Sequence, residues 1–144
     1  MRSRFRVTVI VIVVLFAGAQ FVPVQRTNPQ VTMDVAAPPH VDTILRAACY
    51  DCHSNETRWP WYASLAPASF LLSTHVVDAR GKMNFSEWDR YDLSERERLL
   101  RRARERIEAR EMPEEPYVAI HAAARLDDEE RAILFAWIAE QVGD

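Results

Sequence analysis

The residues that could do chemistry stand together as Cys49-Tyr50-Asp51-Cys52-His53. Cys49 and Cys52 are the only cysteines of the chain. C-x-x-C-H is the attachment signature of c-type haem. On a helical turn, residues three apart face the same side, so both thiols can reach the two vinyl groups along one edge of a porphyrin. His53, next along, is placed to turn its imidazole onto the iron. Three other chemistries compete for the same residues. A zinc site needs two more ligands, and with no second cysteine pair His75 or His121 would have to serve. A redox dithiol of the thioredoxin type wants a βαβ setting that the sequence does not show. A Cys49–Cys52 disulfide would close only a tiny loop and constrain little of the unfolded chain. One covalent haem c is the expected cofactor.

A haem electron carrier holds its iron from both sides. The candidates opposite His53 are Met112, Met83, His75 and His121. Met112 precedes Pro113 directly after a helical stretch, which leaves its thioether on a stiff, non-helical loop. The bland use of a methionine is core filling. Met/His ligation implies a raised potential. His75 sits on an otherwise apolar helical segment, and His121 follows Tyr117, Val118 and Ile120. Met83 follows Gly81-Lys82 and serves equally well as a loop anchor. Trp59, Trp61 and Tyr62 come soon after His53. They either wall the crevice and lower its dielectric, or act as ordinary core aromatics with polar tips at the surface.

The elements that must position these residues read as helices. No stretch beyond residue 40 alternates with period two. Asp42 is a candidate cap for a helix with Ile44, Leu45 and Ala48 inward, running into Cys49. Pro67 opens a second segment through Phe70, Leu71, Leu72, Val76 and Val77, ending near Gly81. Ser94-Glu95-Arg96-Glu97 has the form of a capping box. Its helix runs to about Glu111 with Leu99, Leu100, Ala103 and Ile107 inward, and Pro113 stops it. Asp127 to Glu130 form a second box. The last helix carries Ile133, Leu134, Phe135, Trp137 and Ile138, and ends at Gly143. The expected fold is all-α: a small cytochrome c-like domain around one haem, preceded by an N-terminal hydrophobic helix.

Arg2, Arg4 and Arg6 precede a dense apolar run from Val7 to Ala19. Residues 1–24 thus read as a signal anchor or signal peptide. The anchor reading places the chain in the cell inner membrane, with its domain in the periplasm. The alternative is a soluble periplasmic protein after cleavage near Ala19, where Ala17-Gly18-Ala19 has the A-x-A form. Residues 25–39 hold Pro29, Pro38 and Pro39 and read as a proline-rich linker. Residues 40–144 are the expected haem-binding domain.

The net charge is -3, and Lys82 is the only lysine among arginines that alternate with glutamates. That pattern is a solvated helix face, and nucleic acid is not an expected partner. The run Cys49-Tyr50-Asp51-Cys52-His53-Ser54-Asn55-Glu56-Thr57-Arg58-Trp59-Pro60-Trp61-Tyr62 resembles the bacterial haem-binding domain family of small, exported, c-type cytochrome-like proteins. So do Asn84-Phe85-Ser86-Glu87-Trp88, Met112-Pro113 and Ala124-Arg125-Leu126. The resemblance implies haem attachment at Cys49, Cys52 and His53 and makes Met112 the natural distal ligand. The expected function is one-electron transfer with redox partner proteins at the membrane surface. Two rivals stand beside it: a haem sensor or small peroxidase-like protein with a displaceable sixth ligand, and a haem-free dithiol or structural module. No acid, base or nucleophile constellation stands out as an enzyme site.

Overall fold

The computed structural model describes residues 2–143. Every regular element among them is helical: α1 (Arg2–Ala19), α2 (Pro39–Ala48), α3 (Tyr50–His53), α4 (Ala68–Lys82), α5 (Leu93–Glu108), α6 (Glu115–Val118) and α7 (Asp128–Val142). Short 3-10 turns at Trp61–Ser64, Trp88–Arg90 and Ala122–Ala124 join them. The frame is α5 lying on α7, with α2 against α7 and α3 against both α2 and α4. Leu99, Leu100 and Ile107 of α5 are buried against Leu134, Trp137, Ile138 and Val142 of α7, at the helical spacing the sequence displays.

The helix ends explain where the sequence reading shifts. In α7, Asp127 and Glu130 form the expected capping box, and Gly143 closes the helix in the left-handed region at φ 70°. In α5 the box belongs to Asp92 and Glu95, two residues before the Ser94 start. Ser94 instead donates its hydroxyl to Asp92, 2.8 Å away. Asp42 is no cap either. It lies in the first turn of α2 and pairs with Arg46 at 2.9 Å, while Pro38 and Pro39 set the entry. Gly81 lies inside α4, which runs on to Lys82.

The far end of α5 comes earlier than Glu111. Glu111 N–H donates to the Arg106 carbonyl and Arg110 N–H to the Ile107 carbonyl, the paired bonds of a Schellman motif. Arg110 takes the left-handed position, φ 57°, that usually falls to glycine. Arg110→Gly is therefore expected to raise stability by about 1 kcal/mol, read as a higher thermal midpoint. A neutral or negative change would mean that the arginine side chain offsets the strain.

The N-terminal reading needs correction. No helix among the described residues is long and apolar enough to cross a membrane. Arg2, Arg4 and Arg6 occupy the start of α1, and the helix stops at Ala19. The apolar part from Val7 spans about 20 Å at 1.5 Å per residue, against a hydrocarbon core of about 30 Å. Phe21 and Val22 do not extend it. Gln20 turns away, its side-chain carbonyl accepting from Ala66 N–H at 3.0 Å. The inner-membrane anchor is thereby overturned.

Of residues 25–39, read as a linker, those before Pro39 lie outside any helix and run along the helical body, and Pro39 opens α2. Thr32 and Val35 donate backbone bonds to Ser86 and Phe85, and Trp88 donates to Met33. Val35 is buried in the core. Asp34 accepts from Tyr50 and Arg46, at 2.8 and 2.9 Å.

Candidate functional site

Cys49 sits at the break between α2 and α3. Its N–H closes α2 on the Leu45 carbonyl, while its own carbonyl accepts from Cys52 and His53, at 3.2 and 2.9 Å. The turn presents both thiols and the imidazole toward one cleft. Both cysteines are free thiols and half-buried. Burial pushes the Cys49 thiol up to about 12 and the Cys52 thiol up to about 11. Both are neutral S–H groups in this fold, the opposite of the depressed thiol that makes a reactive dithiol.

His53 Nδ1 lies 3.0 Å from the Met83 carbonyl. Only a protonated Nδ1 satisfies that carbonyl, which leaves the Nε2 lone pair free to ligate. Burial also lowers the imidazole's proton affinity, keeping it in the neutral form that ligation requires.

The two residues between the cysteines fix the turn. Tyr50 is buried and stacks on Phe85, with centroids 5.4 Å apart. Asp51 accepts from Arg58 side chain and backbone and from the Tyr117 hydroxyl, at 2.7 to 3.0 Å. Burial alone would raise the Asp51 carboxyl, but those bonds outweigh it and hold the group below its usual range.

The cleft has two lobes. One, of about 420 Å³, lies between the motif, α5 and α7. The other, of about 270 Å³, lies between the motif, α4 and the segment around Tyr117. Cys49, His53, Met112 and Pro113 line both. Met112 is half-buried and packs against the core. The Schellman turn brings it back over the cleft, through a bond from Met112 N–H to the Arg106 carbonyl. Of the alternative ligands, Met83 lines the larger lobe, and its backbone carbonyl accepts from His53. His75 and His121 line the smaller lobe. His75 is exposed and stands 3.8 Å from Glu114. His121 bonds Tyr62 and Tyr117.

The aromatics expected to wall the crevice do not line either lobe. Trp61 is exposed, and Trp59 donates to Asn28 at 3.2 Å. Tyr62 sits one layer behind, against His121. The aromatic walls are Phe85, Trp137 and Tyr117. Phe85 stood in the sequence only within the family resemblance, Trp137 only as an apolar position of the last helix, and Tyr117 only as a neighbour of His121.

The opposite side of the motif is held by a buried polar cluster. Asn84 donates to Asn55 Oδ1 at 2.9 Å and accepts from Ser86 N–H at 3.0 Å. Asn55 Nδ2 also donates to Glu87, at 3.0 Å. Hydrogen bonds from Asn55, then from Arg90, hold the Glu87 carboxyl below its usual range. A carboxyl lowered in the fold contributes stability that is full above the ordinary carboxylate range and lost as pH falls through the folded value. The advantage of the native chain over Glu87→Gln in urea midpoint is expected to fade across that acid window. A gap that stays constant with pH would refute the assignment.

Haem fits what the cleft offers. Its volume falls in the range of small-molecule and cofactor sites, roughly 300–1,000 Å³. Trp137, on the wall of the larger lobe, has a buried Nε1–H with no hydrogen-bond partner, the one such side-chain atom found among the described residues. Haem brings carboxylates that can accept such a bond, and Lys82 and Arg102 at the same lobe bring positive charge for them.

Fold and site together define a small all-helical domain built around a cofactor cleft. The family model described as haem-binding domain matches residues 14–140, and the chain belongs to that family. No curated protein and no solved structure matches it.

Proposed function

We propose that this haem-binding domain carries one haem c and passes single electrons between redox partner proteins. Cys49 and Cys52 hold the group by thioether bonds, His53 ligates the iron through Nε2, and Met112 ligates from the far side. On this reading the domain is cytochrome c-like in arrangement. The observation that supports it best is convergence: Cys49 and His53, from one turn, and Met112, from a distant part of the chain, border both lobes of one cleft. When bound, haem supplies the ferric–ferrous couple. The protein's own part is to fix the His53 tautomer through Met83, to keep water from the cleft with Leu99, Leu134 and Trp137, and to hold Met112 on a braced turn. A thioether ligand and a dry pocket both favour the ferrous form and raise the potential.

The test is the absorption spectrum of the ferric protein, made with haem-attachment machinery. Native protein is expected to show the weak far-red band of methionine ligation. Met112→Ala is expected to lose that band and to fall in potential by on the order of 100 mV or more, a fraction of the range that axial ligands command. A band that survives in Met112→Ala removes Met112 as ligand. A native protein without the band, binding carbon monoxide when reduced, turns the reading toward a sensor or peroxidase-like site, with His75, His121 or Met83 to be tried in turn.

A further inference from the structure

Arg80, half-buried on α4, carries a positive charge into the protein and meets only neutral oxygens there. Its Nε donates to the Ser54 carbonyl at 2.7 Å and Nη1 to the Thr27 carbonyl at 2.9 Å. Nη2 donates to Asn28 Oδ1 at 3.2 Å and to Thr57 Oγ1 at 2.9 Å. Among the described residues no carboxylate pairs with it, whereas Arg46, Arg104 and Arg131, also half-buried, each hold one. Burial pulls the guanidinium below its ordinary value. Glu87 pulls the other way through space, but that carboxylate already bonds Asn55 and Arg90.

Bracing explains the bonds but not the charge. The acceptors tie Thr27, Asn28, Ser54 and Thr57 to α4, next to the attachment turn. A buried cation without a counter-ion costs stability that a neutral side chain would not. What this charge reaches is Cys52, on whose thiol it acts against the burial. Asp51 and Glu114 act on Cys52 in the opposite sense, but Asp51 pairs with Arg58 at 2.9 Å, and Glu114 lies in solvent, 3.8 Å from His75. Lys82 and Asp78, also beside the smaller lobe, are exposed, and solvent and salt screen them. The least screened charge on the Cys52 side of the cleft is therefore that of Arg80.

We propose that Arg80 sets the redox poise of the cofactor cleft, its fixed charge favouring the reduced form of the bound group. The inference rests on haem occupying the cleft with attachment at Cys52. Reduction by one electron, supplied by a redox partner or an electrode, takes ferric iron to ferrous and lowers its charge by one. No bond of the protein forms or breaks. A fixed cation nearby attracts the added electron and so raises the potential. At the effective dielectric of a protein interior, a unit charge about 10 Å away changes such an equilibrium roughly tenfold. Arg80 acts through space on the electron, and the ligands stay as they are.

The experiment is a spectroelectrochemical titration of haem-loaded protein at fixed pH and ionic strength. Arg80→Gln keeps a hydrogen-bonding side chain and drops the charge. It is expected to shift the ferrous-to-ferric ratio at a given applied potential about tenfold toward ferric, a midpoint lower by about 59 mV. Arg80→Lys keeps the charge without the planar fork, and its ratio is expected to stay within about threefold of native. Bracing alone predicts that both variants fall alike, since neither can span all the acceptors. A second pair leaves Arg80 untouched and decides the matter if the Arg80 variants do not fold. Thr57→Asp sets a carboxylate against the guanidinium and is expected to lower the ratio as Arg80→Gln does. Thr57→Asn sets a neutral group there and is expected to keep the native ratio. Equal falls in Arg80→Gln and Arg80→Lys, a native potential in Arg80→Gln, or equal potentials in the two Thr57 variants each overturn the assignment alone. Native protein that retains no haem after denaturation overturns both the assignment and the reading beneath it.

Discussion

Replacing Cys49 and Cys52 together by serine is expected to abolish covalent haem. After denaturing electrophoresis, native protein should keep its haem on the polypeptide, and the double variant should keep none. Each single variant should retain one thioether and hence its haem, with a shifted ferrous spectrum from the vinyl left unsaturated. The expectation follows from the sulfur chemistry. A thioether would survive unfolding because it is covalent, while the proposed coordination by His53 and Met112 would be lost with the fold. A serine hydroxyl occupies nearly the same volume in the turn and cannot replace sulfur in the bond. The fold itself should tolerate the change, since both side chains are half-buried and form no disulfide. A double variant that holds haem through denaturation as the native chain does would sink the attachment reading. Native protein that never acquires haem would instead leave Cys49 and Cys52 as the free thiols of a dithiol module.

The motif was legible because its information is local. Cysteines three apart and a histidine next in line share one turn and one cleft without needing any long-range contact. The same holds for α7, whose Asp127–Glu130 box and terminal Gly143 are both written within one helix. The box of α5 was equally local, yet Asp92-x-x-Glu95 and Ser94-x-x-Glu97 both satisfy the pattern. What separates them is that Asp92 carries the cap geometry while Ser94 spends its hydroxyl on Asp92. Features that depend on distant partners left no such trace. Tyr50 and Asp51 looked like spacers in the motif, yet their partners Asp34, Phe85, Arg58 and Tyr117 bind them from four segments. Residues 25–39 have a linker's composition because Pro29 and Pro38 suit extended backbone and Pro39 suits the first turn of α2. Their pairing with residues 85–88 depends on backbone groups, which any sequence supplies. The membrane anchor was misjudged for a metric reason: the apolar run from Val7 ends with α1 at Ala19, and Gln20 turns back to Ala66, so the run is too short to span.

Asn84→Ala should be the most damaging substitution outside the cleft, at about 3 kcal/mol of stability lost, read from urea denaturation midpoints. Asn84 is 2% exposed, Asn55 2% and Ser86 0%. Removing the carboxamide leaves Asn55 Oδ1 without its donor and Ser86 N–H without its acceptor, in a place water cannot reach. An unpaired buried polar group costs roughly 1–3 kcal/mol, and two are created at once. Asn84→Asp separates this from mere loss of volume. It keeps the oxygen for Ser86 but sets a carboxylate against Asn55 Oδ1, so it should be at least as harmful despite its near-identical shape. The effect should also reach the site. Asn84 follows Met83, whose carbonyl fixes the His53 tautomer, and the Tyr91 hydroxyl and Phe85 N–H bind the same stretch to Asn84 N–H and the His53 carbonyl. Loosening it should let the imidazole rotate and broaden the iron-coupled resonances in the nuclear magnetic resonance spectrum of haem-loaded protein. A loss below about 1 kcal/mol, the worth of a single ordinary hydrogen bond, would show that relaxation or water satisfies both orphaned groups and that the cluster does not brace His53.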